Sequence, residues 1–191
     1  MTLTEFNKAT GRKKDQPVGF KTISDELAEI FPAAIAALYP DFYGRNCTFV
    51  ATIEECHPLD KDILSSQSLD ERVKAWRSLP EDERYEAMGK YIMVEEIYFY
   101  PIPKRTSQAM DIDLDRDYKP FIQVQESGVV IFACLNAEAD GYEFADRHLA
   151  TVKTRGDLDR LVKRIKDDPV KALVPKTKEF AHMRNPEQAP V

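Results

Sequence analysis

The stretch YIMVEEIYFY (Tyr91–Tyr100) decides the fold. Apart from Glu95 and Glu96, the alternating positions that form its two faces are apolar or aromatic. A strand that is apolar on both faces is typical of the interior of a sheet covered on both sides. We therefore expect this stretch to lie inside a sheet, and Pro101 and Pro103 predict where it ends.

Four other segments have strand patterns. Residues 46–55 alternate with a period of two, and residues 147–153 form a short candidate strand. Residues 121–126 and 129–135 flank a Ser-Gly pair, which predicts a two-residue hairpin turn. The 35 residues between the first two strands also leave room for a parallel pairing between them.

Helical signals occupy much of the remaining chain. Ser24–Tyr39 begins with a capping serine, and Asp157–Asp168 has apolar residues at helical spacing. Ser68 and Ser78 each begin a capping box with a glutamate three residues later. The order of elements predicts an α+β domain, in which a mainly antiparallel sheet of four to five strands carries N-terminal, inserted and C-terminal helices.

Length and cysteine content suggest the domain organisation and the compartment. We expect a flexible basic arm (1–21), a single domain (22–174) and a flexible tail (175–191). Three cysteines, an odd number, and a start without an apolar run favour reduced thiols and a cytoplasmic protein. No apolar run approaches the ~20 residues that span a bilayer, so we expect no membrane partner.

Charge is segregated along the chain. Residues 22–150 hold 12 Lys and Arg against 25 Asp and Glu, a net charge of −13. Residues 1–21 hold 5 against 2 (+3), and residues 151–191 hold 10 against 6 (+4). An acidic body with two basic ends indicates a surface that meets charged partners.

Two acidic runs are candidates for such a surface. Asp111, Asp113, Asp115 and Asp117 would project to one side of an extended segment, and the run Glu81, Asp82 and Glu83 crowds the start of a predicted helix. Asp111, Asp113 and Asp115 are also weak candidates for binding a hard cation such as Ca²⁺ or Mg²⁺. The EF-hand pattern fails because the position of the required glycine is occupied by Arg116, and a solvated loop or a protected sheet edge explains the run better.

Catalytic candidates are sparse. Cys56, His148 and Asp146 supply the residue types of a nucleophile, its base and an orienting carboxylate. Glu54-Glu55 and Glu95-Glu96 would bring carboxylates together if their strands were neighbours, and one of each pair would share a face. The chain has no glycine-rich phosphate loop and no paired-cysteine metal motif, so we expect no cofactor and no metal.

The last predicted helix carries a basic stripe opposite its apolar face, formed by Arg160, Lys163 and Arg164. Such a stripe either contacts phosphates or is ordinary solvated helix surface. The acidic body argues against nucleic-acid binding unless the potential is strongly segregated in space.

Three hypotheses about function follow from these patterns. The first is a non-enzymatic interaction module of the inhibitor, immunity or adaptor type, whose acidic face engages a protein with a basic surface. One version of it is an anti-defence protein that mimics nucleic acid. The second is a small metal-dependent or Cys/His hydrolytic enzyme. The third is a protein that binds nucleic acid through its basic termini and last helix.

Overall fold

A computed structural model describes residues 13–38, 47–56, 61–103, 120–136, 143–178 and 180–184. The helices in these ranges are α1 (Phe20–Leu38), α2 (Lys61–Ser66), α3 (Leu69–Arg77), α4 (Glu81–Tyr91), α5 (Arg155–Asp167), α6 (Pro169–Leu173) and α7 (Ala181–Arg184). The strands are β1 (Cys47–Cys56), β2 (Val94–Pro103), β3 (Phe121–Gln125), β4 (Val129–Asn136) and β5 (Glu143–Thr151).

The five strands form one sheet in the order β1-β2-β3-β4-β5, and every neighbouring pair is antiparallel. This confirms the predicted α+β class with N-terminal, inserted and C-terminal helices. The parallel alternative for the first two strands is wrong, because Cys56 pairs with Val94 and Cys47 with Pro103. Helices α2 to α4 therefore form the connection between β1 and β2, and β2 begins beside the end of β1.

Strand β2 begins three residues later than the sequence predicts. Pro101 and Pro103, which were expected to end the strand, lie within it. Strand β2 pairs with β3 only as far as Tyr98, and beyond that point its described ladder is with β1 alone. A proline lacks an N–H to donate, so it is tolerated where a strand is hydrogen-bonded on one side only.

The turn between β3 and β4 has three residues rather than the two predicted. Gly128 ends it with a φ of 83°, and its amide donates to the carbonyl of Gln125 at 2.8 Å. A Cβ on Gly128 would lie 2.0 Å from the carbonyl oxygen of Val152. Glycine is required here because both the left-handed backbone and the close approach of another chain segment exclude a side chain.

One face of the sheet is covered by α1, α5 and α6. The Phe31 ring of α1 lies 5.7 Å from the ring of Phe99 and 6.0 Å from that of Phe132, measured between centroids. Helix α5 adds the buried side chains of Leu158 and Ile165. This layer of apolar side chains between helices and sheet is the main hydrophobic core, and its burial is the principal stabilising contribution.

The starts of two helices differ from those predicted from their capping residues. Ser24 lies inside α1 rather than at its cap, and its hydroxyl donates to the carbonyl of Phe20. The capping box of Ser68 is present, but the one predicted at Ser78 is wrong, because Pro80 precedes α4 without a side-chain cap. Thr154 caps α5 in a box with Asp157.

The segment before α1 packs against the start of α5. The amide of Arg155 donates to the carbonyl of Gln16, and the amide of Val18 donates to that of Lys153. At the other end of the chain, Phe180 is buried in the core. The division into arm, domain and tail stays a prediction. Among the described helices, none combines the length and the apolar character needed to cross a membrane.

Candidate functional site

An open groove of about 770 Å³ runs along α5, between that helix, α6 and the edge strand β5. Both helices lie over β5, because α5 packs its apolar stripe on the sheet and α6 follows it after a single residue. Six cationic side chains line the groove: Arg147, Arg160, Lys163, Arg164, Lys171 and Lys176. Three carboxylates share it: Asp157, Asp167 and Asp168.

All three carboxylates already have local partners. Asp157 completes the α5 capping box and also pairs with Arg160 at 2.5 Å. Asp167 forms an ion pair with Lys163. Asp168 accepts a hydrogen bond from the backbone amide of Lys171 at 3.0 Å, which caps α6. The acidic residues of the groove therefore cap the helices or form ion pairs with Arg160 and Lys163 of the basic stripe.

Four cationic side chains of the groove form no ion pair with a carboxylate in the described part of the chain: Arg147, Arg164, Lys171 and Lys176. Arg147 donates to the backbone carbonyls of Lys171 and Val174. Arg164 donates to the carbonyl of Leu149 at 2.6 Å. Backbone carbonyls orient these two guanidinium groups without neutralising them.

Arg147 is the least exposed of these cations and reaches the groove from the sheet. It lies opposite Phe132 across the β4–β5 pair, so it shares the helix-covered face. Desolvation lowers the pKa of its guanidinium, and the nearby charges of Arg164 and Arg184 lower it further. The end of the groove nearest β5 is therefore a region of concentrated positive charge.

The N-terminal basic segment adjoins the groove. The amide of Gly156 donates to the carbonyl of Lys14 at 2.8 Å. The place that a Cβ on Gly156 would take is 3.4 Å from the Lys14 Cβ and 3.5 Å from Arg160 Nη1. The two basic ends of the sequence therefore meet at the start of α5, which local sequence patterns do not reveal.

The predicted basic stripe thus lies within a groove, and its members differ. Arg160 and Lys163 are engaged by acids one turn away, whereas Arg164 reaches back to β5. Sequence reasoning missed Arg147, Lys171 and Lys176 as members of the same set. Lys171 lies close to the stripe in sequence, but Arg147 is an isolated arginine in an acidic stretch, and no local pattern marks it.

The residue types of the proposed Cys/His site are not brought together. Cys56 ends β1, and His148 and Asp146 lie on β5, so the candidates sit on opposite edge strands. Four strand steps of about 4.8 Å place these backbones roughly 19 Å apart across the sheet. His148 Nε2 lies 3.3 Å from Thr151 Oγ1, and desolvation raises the pKa of the Asp146 carboxyl.

Cys134 is the cysteine whose side chain the structure describes. It is fully buried, and desolvation raises its pKa to about 12. Because the thiolate is the nucleophilic form, this thiol is inert at neutral pH and acts as a small core residue.

The paired glutamates are cross-strand neighbours, as the hypothesis required. Glu54 lies opposite Glu96, and Glu55 lies opposite Glu95 on the other face. Glu96 accepts from the hydroxyl of Tyr98 at 2.5 Å. Glu95 is buried under α1, where Lys21 Nζ lies 3.5 Å from its Oε1 and its Oε2 has no hydrogen-bond partner among the described residues.

The predicted acidic candidates divide between described and undescribed residues. Glu81, Asp82 and Glu83 are exposed in the first turn of α4. Asp111, Asp113, Asp115 and Asp117 lie outside the described residues. Within the described ranges, His, Cys, Asp and Glu side chains form no cluster of three or more that would hold a metal ion.

Comparison with protein-family models, curated proteins and solved structures gave no match for this chain. Its function therefore has to be inferred from its own residues. The groove along α5 is the described feature in which fixed charge, concavity and incomplete neutralisation coincide.

Proposed function

We propose that this protein is a non-enzymatic binding module that holds the phosphate backbone of a nucleic acid in the groove along α5. The observation that carries the proposal is the set of four cations that line the groove without a carboxylate partner in the described residues. Unpaired cations in a concave site focus positive potential and attract polyanions, because low-dielectric walls screen less than open water.

The meeting of the two basic ends supports the same proposal. An acidic body would repel a nucleic acid if the charges were mixed, but Lys14 of the N-terminal segment docks at Gly156, near the start of the basic C-terminal segment. A polyanion that follows the groove from β5 toward the start of α5 would pass Arg164, then Arg160, then Lys14.

The rest of the groove lining favours backbone contacts over base recognition. Its uncharged described side chains are Ala150, Thr151, Leu161 and Ala172, and none of these is aromatic. Base stacking on proteins uses aromatic side chains, and base reading uses groups that enter a groove of the nucleic acid. We therefore expect binding with little sequence preference and a strong dependence on salt.

The direct test compares two double variants with equal loss of charge. Lys171→Gln/Lys176→Gln removes two groove cations, and Lys166→Gln/Lys178→Gln removes two exposed lysines that do not line the groove. Fluorescence anisotropy of a labelled 20-mer duplex, measured from 50 to 300 mM salt, gives the affinity and its salt slope for each protein.

The expected result is that the groove variant binds more weakly and that its salt slope falls by about 2, roughly 1 for each phosphate that a lysine no longer neutralises. The control variant should keep the slope of the wild-type protein. An equal weakening in both variants would mean that net charge alone drives binding, and an affinity independent of salt would reject the proposal outright.

A second candidate is an interaction through an acidic surface with a basic protein, as an inhibitor, immunity or adaptor protein would act. Its support is the exposed run Glu81, Asp82 and Glu83, which lies at a helix start without a side-chain cap. The variant Glu81→Gln/Asp82→Asn/Glu83→Gln should then lose a stoichiometric partner in pull-downs from the native lysate. A cytoplasmic location is part of both proposals, since reduced cysteines belong there.

A further inference from the structure

We propose that the β5 end of the groove, between Arg147 and Arg164, is a subsite for a terminal phosphoryl group. This inference rests on the proposed function, because it concerns the same groove. It adds that the groove distinguishes a phosphorylated end from an internal phosphodiester. The shared chemistry is a phosphate monoester or a pyrophosphate, and its source is either a strand end or a free phosphate compound.

The first support is the orientation of two guanidinium groups from different elements. Arg147 comes from β5 and is fixed by the carbonyls of Lys171 and Val174, and Arg164 comes from α5 and is fixed by the carbonyl of Leu149. Each arginine has five N–H donors, so these bonds leave donors for a ligand. A guanidinium held in this way loses little side-chain entropy on binding.

The second support is local charge. The charges of Arg164 and Arg184 act on Arg147, and no carboxylate in the described part of the chain forms an ion pair with it. Desolvation and like-charge repulsion both disfavour the positive charge of Arg147. An anion between the arginines would relieve both effects, and a compact dianion would do so more fully than a monoanion.

A terminal phosphoryl group fits that requirement better than an internal phosphate. At neutral pH it carries close to two negative charges and three free acceptor oxygens. An internal phosphodiester has one charge and two free oxygens, and its two ester bonds restrict its approach to a half-buried arginine. Arg147 and Arg164 both line the groove, and Arg164 is near enough to act on the charge of Arg147. Each guanidinium can make bidentate contacts with a phosphoryl group, which a lysine cannot make.

The test uses 12-nucleotide DNA strands with a 5′-phosphate, a 3′-phosphate or neither, and free pyrophosphate as competitor. In the wild-type protein one phosphorylated strand should bind about tenfold more tightly than the unmodified one, since one additional charge-assisted contact is worth about a factor of ten. Arg147→Lys and Arg164→Lys keep the net charge, so each should abolish that preference, measured within each variant as the ratio of the affinities for the phosphorylated and the unmodified strand. Arg160→Lys is the matched control and should keep the preference.

The outcomes separate this inference from the proposed function. If all three strands bind equally in a salt-dependent way, the terminal subsite is wrong and nucleic-acid binding stands. If no strand binds but pyrophosphate does, and Arg164→Lys weakens it, the subsite stands with a free phosphate compound as its ligand and nucleic-acid binding is wrong. If neither strands nor pyrophosphate bind, both are overturned.

Discussion

The amide of Gly156 donates a 2.8 Å hydrogen bond to the carbonyl of Lys14, and this bond joins the two basic ends of the chain. A Cβ on Gly156 would lie 3.1 Å from that oxygen, which is tighter than ordinary contact. The start of α5 therefore needs a residue without a bulky side chain if the N-terminal segment is to dock there.

The first prediction concerns this docking. Gly156→Val should displace residues 14–16 from α5 and break the backbone hydrogen bonds that Lys14 and Gln16 accept from Gly156 and Arg155, because a branched side chain cannot share the space of the Lys14 carbonyl. Trypsin cleavage after Lys14, followed by mass spectrometry, should accelerate about tenfold or more, since cleavage of a docked segment requires local opening. Gly19→Val is the control, because nothing lies within 4 Å of its Cβ position. Unchanged cleavage in Gly156→Val would show that this interaction does not hold the segment.

Sequence patterns predicted the fold well where periodicity and burial agree. The alternation in residues 46–55 and the apolar faces of Tyr91–Tyr100 identified β1 and β2, and helical spacing identified α5. Boundaries failed where a local signal competed with tertiary contacts. Tyr91 fits the strand pattern, but it ends α4, where the amide of Ile92 still donates to the carbonyl of Met88.

The candidate site was predictable only in part. Arg160, Lys163 and Arg164 share a helix face, so their spacing identifies them. The contribution of Arg147 depends on the β4–β5 register, which includes an irregularity between Val130 and Ile131. No local pattern encodes that register, and none predicts that Lys14 meets Gly156, because these contacts join segments distant in sequence.

The second prediction concerns the turn between β3 and β4. Gly128→Ala should destabilise the protein by about 3 kcal/mol, because alanine at a positive φ is strained and its Cβ would clash with the backbone of Val152. Gly19→Ala, which meets open space, should change the free energy of unfolding by less than about 0.5 kcal/mol. Urea denaturation measures both. Similar midpoints for the two variants would show that the turn tolerates a side chain.

The third prediction concerns the ion pair between Arg72 of α3 and Glu126 of the turn. Two 2.9 Å hydrogen bonds join them, and the side chains are 6% and 17% exposed. Glu126→Ala should cost about 3 kcal/mol, because it leaves a buried guanidinium without its counter-charge. Asp167→Ala, which breaks a pair with side chains 59% and 60% exposed, should cost less than about 1 kcal/mol. Equal urea midpoints would contradict a structural role for Arg72.

The fourth prediction concerns pH. Hydrogen bonds from the Thr154 side chain, from the backbone and then the charge of Arg160 hold the pKa of Asp157 below its usual value. Its folded-state pKa is depressed, so its stabilisation is present above the unfolded-state pKa and is lost as pH falls through the folded-state value. Asp157→Asn should therefore be less stable than wild type by about 0.5 kcal/mol at pH 7, because it removes a negative charge from the first turn of α5. The difference should shrink as the carboxylate is protonated in acid, and a difference independent of pH would contradict its capping role.

The most direct test of the groove is to locate the bound polyanion by amide NMR. Titration of isotope-labelled protein with a 20-mer duplex at 50 mM salt should shift the signals of Thr151, Arg164 and Ala172, which line the groove. Signals of residues 81–83 should remain in place. Shifts confined to α4, or no shifts at a tenfold excess of duplex, would contradict the assignment of the groove as the binding surface.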